Sequence, residues 1–255
     1  MRIFSYGKMP DTESAAMRRP LESPQFEAAA RDYLWLLDRG YPERRSRELT
    51  ADRYRLDTHQ RSALYRGVFS TEESAARGRN RLELPLQSPQ SVTVDFLNLL
   101  LLLMNYLYGR NVFFASDGFA RDDGENFSRF DNIHILRGAL GLIRTDVPQM
   151  GFDELRLLID SEPKTRLPVS SNGGHLLQLL KEELSPLSGE FLLRANPDGE
   201  LVGLREGLIC SSDTGVLDRT TQRTVDIGGY ILRQRYGDKL TDIRRIIGGG
   251  APLNM

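Results

Sequence analysis

Four apolar runs in this chain end in aspartate: VTVD at Asp95, NVFFASD at Asp117, RLLID at Asp160 and LICSSD at Asp213. If each run is a buried strand of one parallel sheet, the four carboxylates meet at one edge, because ligands of open α/β sheets gather at the carboxyl ends of the strands. Like charges a few ångströms apart raise one another's pKa and oppose folding. A cation resolves the conflict, and an oxygen-only donor set without His or Cys suits a hard ion, Mg2+ or Mn2+, rather than zinc. Such ions activate water and neutralise charge on a phosphodiester during hydrolysis. The competing reading of each Asp is a helix N-cap, which a strand-to-helix turn favours for structural reasons alone.

Other chemistry has weaker support. His59, His134 and His175 are scattered without metal-ligand spacing and read as structural residues, His134 on an apolar helix face. Ser170, Ser171, Ser211 and Ser212 lack the Gly-x-Ser-x-Gly setting of a nucleophile elbow. Asn172, Gly173 and Gly174 suit backbone contact with phosphate at a helix start, but they do not make a Walker loop. The one cysteine, Cys210, excludes an internal disulfide framework and a cysteine-rich zinc site, and is expected to be buried.

The elements that must position these residues follow from periodicity. In VTVDFLNLLLLLMNYL the β-branched start reads as a strand and the leucine-rich remainder as a helix, with Asp95 at the junction. The uninterrupted core, Leu99 to Met104, is far shorter than the roughly 18 to 20 residues a membrane span needs. Strand-like and helix-like segments then alternate: NVFFAS, NIHILRGALGLI, ELRLLID, GGHLLQLLKEEL, GEFLLRA, GLICSS and TVDIG. Alternation of this kind predicts an α/β domain over 92–240, with a mostly parallel sheet flanked by helices.

Ahead of it, residues 1–23 read as an irregular arm and 24–75 as a small all-α module. Phe26, Ala29, Ala30, Tyr33, Leu34 and Leu37 recur at helical spacing before Gly40, Pro42 fits a first turn, and Asp57 or Thr58 fits a cap for a helix reaching Gly67. Between Arg31 and Arg66 nine arginines stand against six acids, interleaved with Tyr41, Tyr54 and Tyr65. Arginine forks beside aromatic faces suit phosphates and unpaired bases, which makes Arg44, Arg45, Arg47, Arg53, Arg55, Arg61 and Arg66 candidate nucleic-acid contacts. Pairing of those arginines with the interleaved acids is the structural alternative. Residues 76–91 read as a linker and 241–255 as a tail, loose or in contact with a second copy.

The chain has 255 residues with 34 basic and 35 acidic side chains, for a net charge of −1. That balance does not advertise nucleic-acid binding by the whole molecule, so a basic patch must carry it. The first twenty residues carry acids and no continuous apolar stretch, so a secretory leader is not expected and a cytoplasmic protein without membrane partners is.

The order of segments resembles that of PIN-like nucleases, particularly the NYN branch, in which an Asp ending the first strand is followed three residues later by Asn. VDFLN has Asp95 and Asn98 at that spacing, and LIDSEPKTRLPVSSNGGHLLQLL and ICSSDTGVLDR look like the later acidic motifs. FFASDGFARDD resembles a segment of an uncharacterised prokaryotic family that joins an arginine-rich helical module, with a LLDRGYP-like start, to such a domain. The likeness spans most of residues 26–235 through short motifs, and departs from the NYN pattern at Phe96, where Gly is common. It implies a PIN-like, Rossmannoid fold and a metal-dependent nuclease acting on RNA. Asp95, Asp160 and Asp213 would hold Mg2+ or Mn2+, Asn98 would orient Asp95 or contact substrate, and Asp117 would be a fourth ligand. Arg121 would steady the phosphate, or else pair with Asp122 or Asp123.

Two other functions compete. One is a non-catalytic RNA- or protein-binding module on a degenerate nuclease fold. The other is a haloacid-dehalogenase-like phosphatase, for which Asp213 and Asp218 have a reminiscent spacing, but Leu97 stands where its general acid is needed.

Overall fold

The computed structural model describes residues 21, 23–124, 132–161, 173–185 and 187–248. Four helices open it. In α1 (Pro24–Leu37) the Ser23 hydroxyl caps the first turn, accepting from Phe26 N at 3.2 Å, and Phe26, Ala29, Ala30 and Tyr33 form the buried stripe. Pro42 stands just outside α2 (Glu43–Arg53) as its N-cap. A reciprocal capping box of Asp57 and Gln60 starts α3 (Thr58–Gly67), and one of Ser70 and Glu73 starts α4 (Thr71–Asn80).

The stretch 76–91 is built into the fold instead of linking two parts. Its first residues continue α4, because the Arg77 guanidinium is drawn into buried ion pairs described below. Arg81–Leu82 then form β1, an edge strand of the main sheet.

Next come β2 (Gln90–Asp95), α5 (Phe96–Leu107), β3 (Val112–Phe114), β4 (Ala120–Asp122), α6 (Ile133–Asp146), β5 (Phe152–Asp160) and α7 (Gly173–Glu183). They are followed by β6 (Gly189–Arg194), α8 (Pro197–Gly203), β7 (Leu208–Cys210), α9 (Thr214–Leu217), β8 (Thr224–Val225), α10 (Ile227–Tyr236), β9 (Thr241–Asp242) and α11 (Ile243–Gly248). Six strands form a sheet in the order β1-β8-β7-β2-β5-β6, every pair parallel. Among the described residues no helix is long and apolar enough to cross a membrane.

Both sheet faces are covered at the centre, so β7 and the later residues of β2 and β5 are buried and mostly apolar, while the start of β5 and the edge strands β1 and β6 keep charged residues. Alternation assigns the sides: Val92, Val94, Leu155, Leu157, Ile159, Leu208 and Cys210 pack against α5, α6, α7 and α10, whereas Leu158 and Ile209 pack against Leu201 of α8 and Val216 of α9. Cys210 is buried as expected, and burial pushes its thiol pKa up, away from reactivity.

NVFFAS does not join this sheet. Its strand β3 pairs antiparallel with β4 and parallel with β9 in a separate three-stranded sheet. Phe113 and Ala115 belong to the core of the helical module together with Phe26, Tyr33, Leu64 and Ile243. Residues 241–248, expected in the tail, therefore close that core. Gly67 makes the closure possible, since a Cβ there would collide with Ile243 and Phe113. Residues 249–255, and the arm apart from Leu21 and Ser23, lie outside the described residues.

Candidate functional site at the carboxyl edge of the parallel sheet

The chain lays β5 and β6 outward on one side of β2, then returns to place β7 and β8 on the other. The strand order reverses between β2 and β7, and a crevice opens at such a switch point, beyond the carboxyl ends. Asp95 and Asp213 flank it. Since Val92 and Val94 face the α5 side, Thr93 and Asp95 face the α8 side. Asp95 is in register with Leu158, so Asp160 stands one pleat further along β5 on the same face as Leu158.

Asp95, Asp160 and Asp213 are thus brought together, and a fourth carboxylate joins them: Asp198, in the first turn of α8. The electrostatics report the grouping. Burial, and behind it the charges of Asp198, Asp213 and Asp160, push the Asp95 pKa up to about 7, against the lowering effect of the Asn98 backbone N–H. Burial, Asp213 and Asp160 raise Asp198 too, with Arg219 opposing.

The capping role also holds. Asp95 Oδ1 accepts from Asn98 N at 3.1 Å to start α5, and Asp213 Oδ1 accepts from Val216 N at 3.1 Å to start α9. Each uses one oxygen for the cap, so capping and a second role are compatible. Asp226 repeats the arrangement after β8, accepting from Gly229 N at 2.8 Å and Ala120 N at 2.7 Å, with burial raising its pKa.

Asp226 carries a legible signal, the same strand-Asp-helix pattern in TVDIG. Asp198 had no such signal, because it ends no strand and reaches the cluster only through the placement of α8.

Asn98 lies between the two sides of the crevice. Its Oδ1 accepts from Ser212 Oγ at 2.8 Å, which joins the turn after β7 to the first turn of α5. Both residues line a cavity of about 320 Å³ between the helical module and the sheet edge, with Tyr65, Phe69 and Asp213 among its walls. Phe96 does not obstruct this exit: its ring is fully buried in the core, 0% exposed. The departure from Gly therefore leaves the crevice open.

Asp117 is elsewhere. It sits in the turn between β3 and β4, fully buried, with Arg121 Nη1 and Nη2 donating at 2.7 and 2.8 Å, Arg77 Nη1 at 3.2 Å and Phe119 N at 3.2 Å. Burial alone would raise its pKa, but the two arginines and these hydrogen bonds hold it below the ordinary carboxylate value. Both oxygens are engaged by guanidinium groups; if the carboxylate turned to a cation, Arg121 would be left buried without a carboxylate partner, while Arg77 would keep only Asp218. Arg121 borders the same cavity of about 320 Å³ as Asn98 and Ser212; its carboxylate partner is Asp117 rather than Asp122 or Asp123, and its Nε donates to Ser212 O at 2.9 Å.

The module's arginines divide into two groups. Arg61 donates to Leu56 O at 2.8 Å and Asp52 at 2.7 Å, and Arg66 donates to Asp122 O at 2.8 Å, so both serve the fold. Arg47 lies 4.4 Å over the Tyr65 ring. Arg44, Arg45, Arg53 and Arg55 are exposed, Arg44 beside Glu48 at 3.1 Å and Arg53 near Asp32 at 3.9 Å. His59 Nδ1 is 2.9 Å from Asp123 Oδ2, a structural contact, while His134 and His175 are exposed. Ser170, Ser171 and Asn172 lie outside the described residues.

These donors fit a hard cation in type, because they are oxygens whose mutual repulsion is visible at Asp95. Among the described residues no three Asp, Glu, His or Cys side chains already enclose one point at ligand distances. Mg2+ keeps several waters and takes one or two carboxylates directly, so the fit is to an ion held partly through water.

Fold and site define a doubly wound α/β protein with an acidic crevice and a helical module above it. A family model described as "Domain of unknown function (DUF5616)" matches residues 87–230, more than half of the chain, and the chain belongs to that family. A second, "Protein of unknown function (DUF434)", matches residues 25–80, the four helices. No curated protein and no solved structure matches the chain.

Proposed function

We propose that this protein is a divalent-metal-dependent nuclease of the PIN-like, NYN-type kind, acting on RNA, with the helical module holding the nucleic acid. The observation that carries the reading is Asp95, a buried carboxylate pushed to about 7 beside three others at the switch point of a parallel sheet. A cluster of that charge beside an open crevice is stable near neutrality only with protons or a cation.

Asp95, Asp160, Asp198 and Asp213 would hold Mg2+ or Mn2+, which when bound supplies charge neutralisation and water activation for phosphodiester hydrolysis. Asn98, oriented by Ser212, presents its amide to the substrate phosphate at the crevice. The cavity of about 320 Å³ gives the strand a place against Tyr65 and Phe69. Exposed Arg44, Arg45, Arg53 and Arg55 supply the basic surface that draws phosphate toward an acidic edge.

The non-catalytic reading is favoured by one observation, the lack of a ready-made ligand trio among the described residues. A phosphatase of the haloacid-dehalogenase type is disfavoured, since Leu97 is buried and Asp218 is held by Arg77 at 2.6 and 2.8 Å.

Purified protein incubated with single-stranded RNA, structured RNA and single-stranded DNA, in Mn2+, Mg2+ or EDTA, separates the readings. Cleavage that needs metal and is lost in Asp95→Asn is the expected result. Cleavage surviving in Asp95→Asn sinks the site, and RNA binding without cleavage in any metal favours the non-catalytic module.

A further inference from the structure

One strand beyond Asp226 on the same sheet edge, β1 and α10 enclose a cavity of about 90 Å³, with Arg81, Phe114, Asp226, Tyr230 and Arg233 among its walls. Asp226 also borders the small pocket that contains Asp95, so the two places are neighbours along the edge. Three guanidinium groups converge here. Arg81 and Arg244 both reach over Gly118, where a Cβ would stand 2.7 Å from Arg81 Nη1 and 3.2 Å from Arg244 Nη1. The turn needs glycine for its φ of +85°, and the missing Cβ leaves the space the two arginines use.

Arg81 and Arg244 have acidic partners. Arg81 Nη2 donates to Glu83 at 2.6 Å, and Arg244 donates to Asp242 through Nε at 2.9 Å and Nη2 at 2.5 Å. Arg233 differs. Its guanidinium lies 4.4 Å over the Phe114 ring, and among the described residues no acceptor hydrogen-bonds to it. Burial, then Arg244 and Arg81, pull its pKa below the ordinary value, with the charges of Asp242 and Glu83 opposing. The fold thus holds a half-buried planar cation, stacked on an aromatic ring, beside two like charges. The two nearby carboxylates, Glu83 and Asp242, are taken up by Arg81 and Arg244, which leaves the Arg233 fork to an added anion, and a guanidinium fork matches two phosphate oxygens.

We propose that Arg233, with Arg81 beside it, forms a phosphate-binding site at the β1 end of the sheet edge. The ligand is a phosphate group, borne by a nucleic-acid strand end or by a free phosphate compound. The site does not rest on the nuclease reading, because it uses none of the acidic residues proposed for cleavage.

Calorimetric titration of inorganic phosphate into the full chain, in EDTA with chloride as supporting salt, is the test. Saturable binding is expected, weakened at least tenfold by Arg233→Met, unchanged by Arg245→Met on the exposed side of α11, and unchanged by Asp95→Asn. Loss of cleavage and loss of phosphate are then separate readouts. If Arg233→Met melts well below the wild type, Arg233→Lys carries the comparison, keeping the charge but losing the fork, with binding expected to weaken measurably. Single-stranded oligonucleotides with a 5′-phosphate or a 5′-hydroxyl identify the source: tighter binding of the phosphorylated strand, abolished in Arg233→Met, assigns a strand end, and equal binding assigns a free phosphate compound. Absence of phosphate binding, or binding that both Arg233 variants leave intact, overturns the site.

Discussion

Ser212 Oγ donates to Asn98 Oδ1 at 2.8 Å and so ties together two turns that leave neighbouring parallel strands. If Asn98 contacts substrate, this bond sets its direction. Ser212→Ala is expected to lower kcat/KM for RNA by roughly fivefold, the equivalent of about 1 kcal/mol for one hydrogen bond, with an unchanged melting temperature. Ser212→Thr retains the hydroxyl and should retain most of the rate. An unaffected rate in Ser212→Ala removes the positioning role.

The raised pKa of Asp95 makes stability depend on pH in a particular direction. A carboxylate at about 7 in the fold and near the ordinary value when unfolded favours the protonated folded form. Its contribution is full below about pH 4 and declines as pH rises through about 7, by at most about 1.4 kcal/mol per pH unit. Asp117 has the opposite sign, its lowered pKa contributing above about pH 4 and losing effect as pH falls further. Urea denaturation from pH 4 to 8 should show the wild type losing stability while Asp95→Asn stays flatter. Mg2+ at pH 8 should stabilise the wild type more than the variant. Parallel profiles for the two proteins would remove the burial argument.

Asp117 is a fold residue, and its substitution separates stability from chemistry. Asp117→Asn leaves the Arg77 and Arg121 guanidinium groups, each 4% exposed, without their shared counter-charge. Breaking a buried pair from one side costs about 3–5 kcal/mol. Chemical denaturation should report a loss of that order, and whatever protein remains folded should keep its metal dependence. A stable Asp117→Asn protein lacking cleavage would return Asp117 to the site.

Arg44 and Arg45 test the proposed nucleic-acid surface. Both are exposed on α2, whose neighbourhood includes the exposed aromatic residues Tyr41 and Tyr65. Replacing both with Gln should weaken RNA binding with little sequence preference and reduce the salt dependence of log K by about 1 per lost phosphate contact. Arg61→Gln should instead lower stability, since its guanidinium holds the end of α2 at Leu56 O and Asp52. Unchanged RNA affinity in the Arg44/Arg45 variant places the binding surface elsewhere.

Much of this was legible along the chain because its causes are local. Asp57, Asp95 and Asp213 are capping residues whose partners lie three residues away. Apolar patterning determined the leucine face of α5, the buried strand β7 and the buried end of β5. Contacts set by distant residues were not legible. NVFFAS has a strand's composition, but which sheet it enters depends on β4 and β9, the latter more than a hundred residues away. Arg77 looked like linker charge until Asp117 and Asp218 stood on either side of it.

By itself, then, the sequence determined which residues are interior, where the helices begin and that aspartates close several strands. Only the tertiary structure decided which of those aspartates share a crevice. Strand adjacency is a non-local property: β2 lies beside β5 and β7, not beside β3, so Asp95 meets Asp160 and Asp213 while Asp117 is surrounded by arginines. The same packing brings in Asp198, because α8 covers the sheet face that Asp95 and Asp160 share.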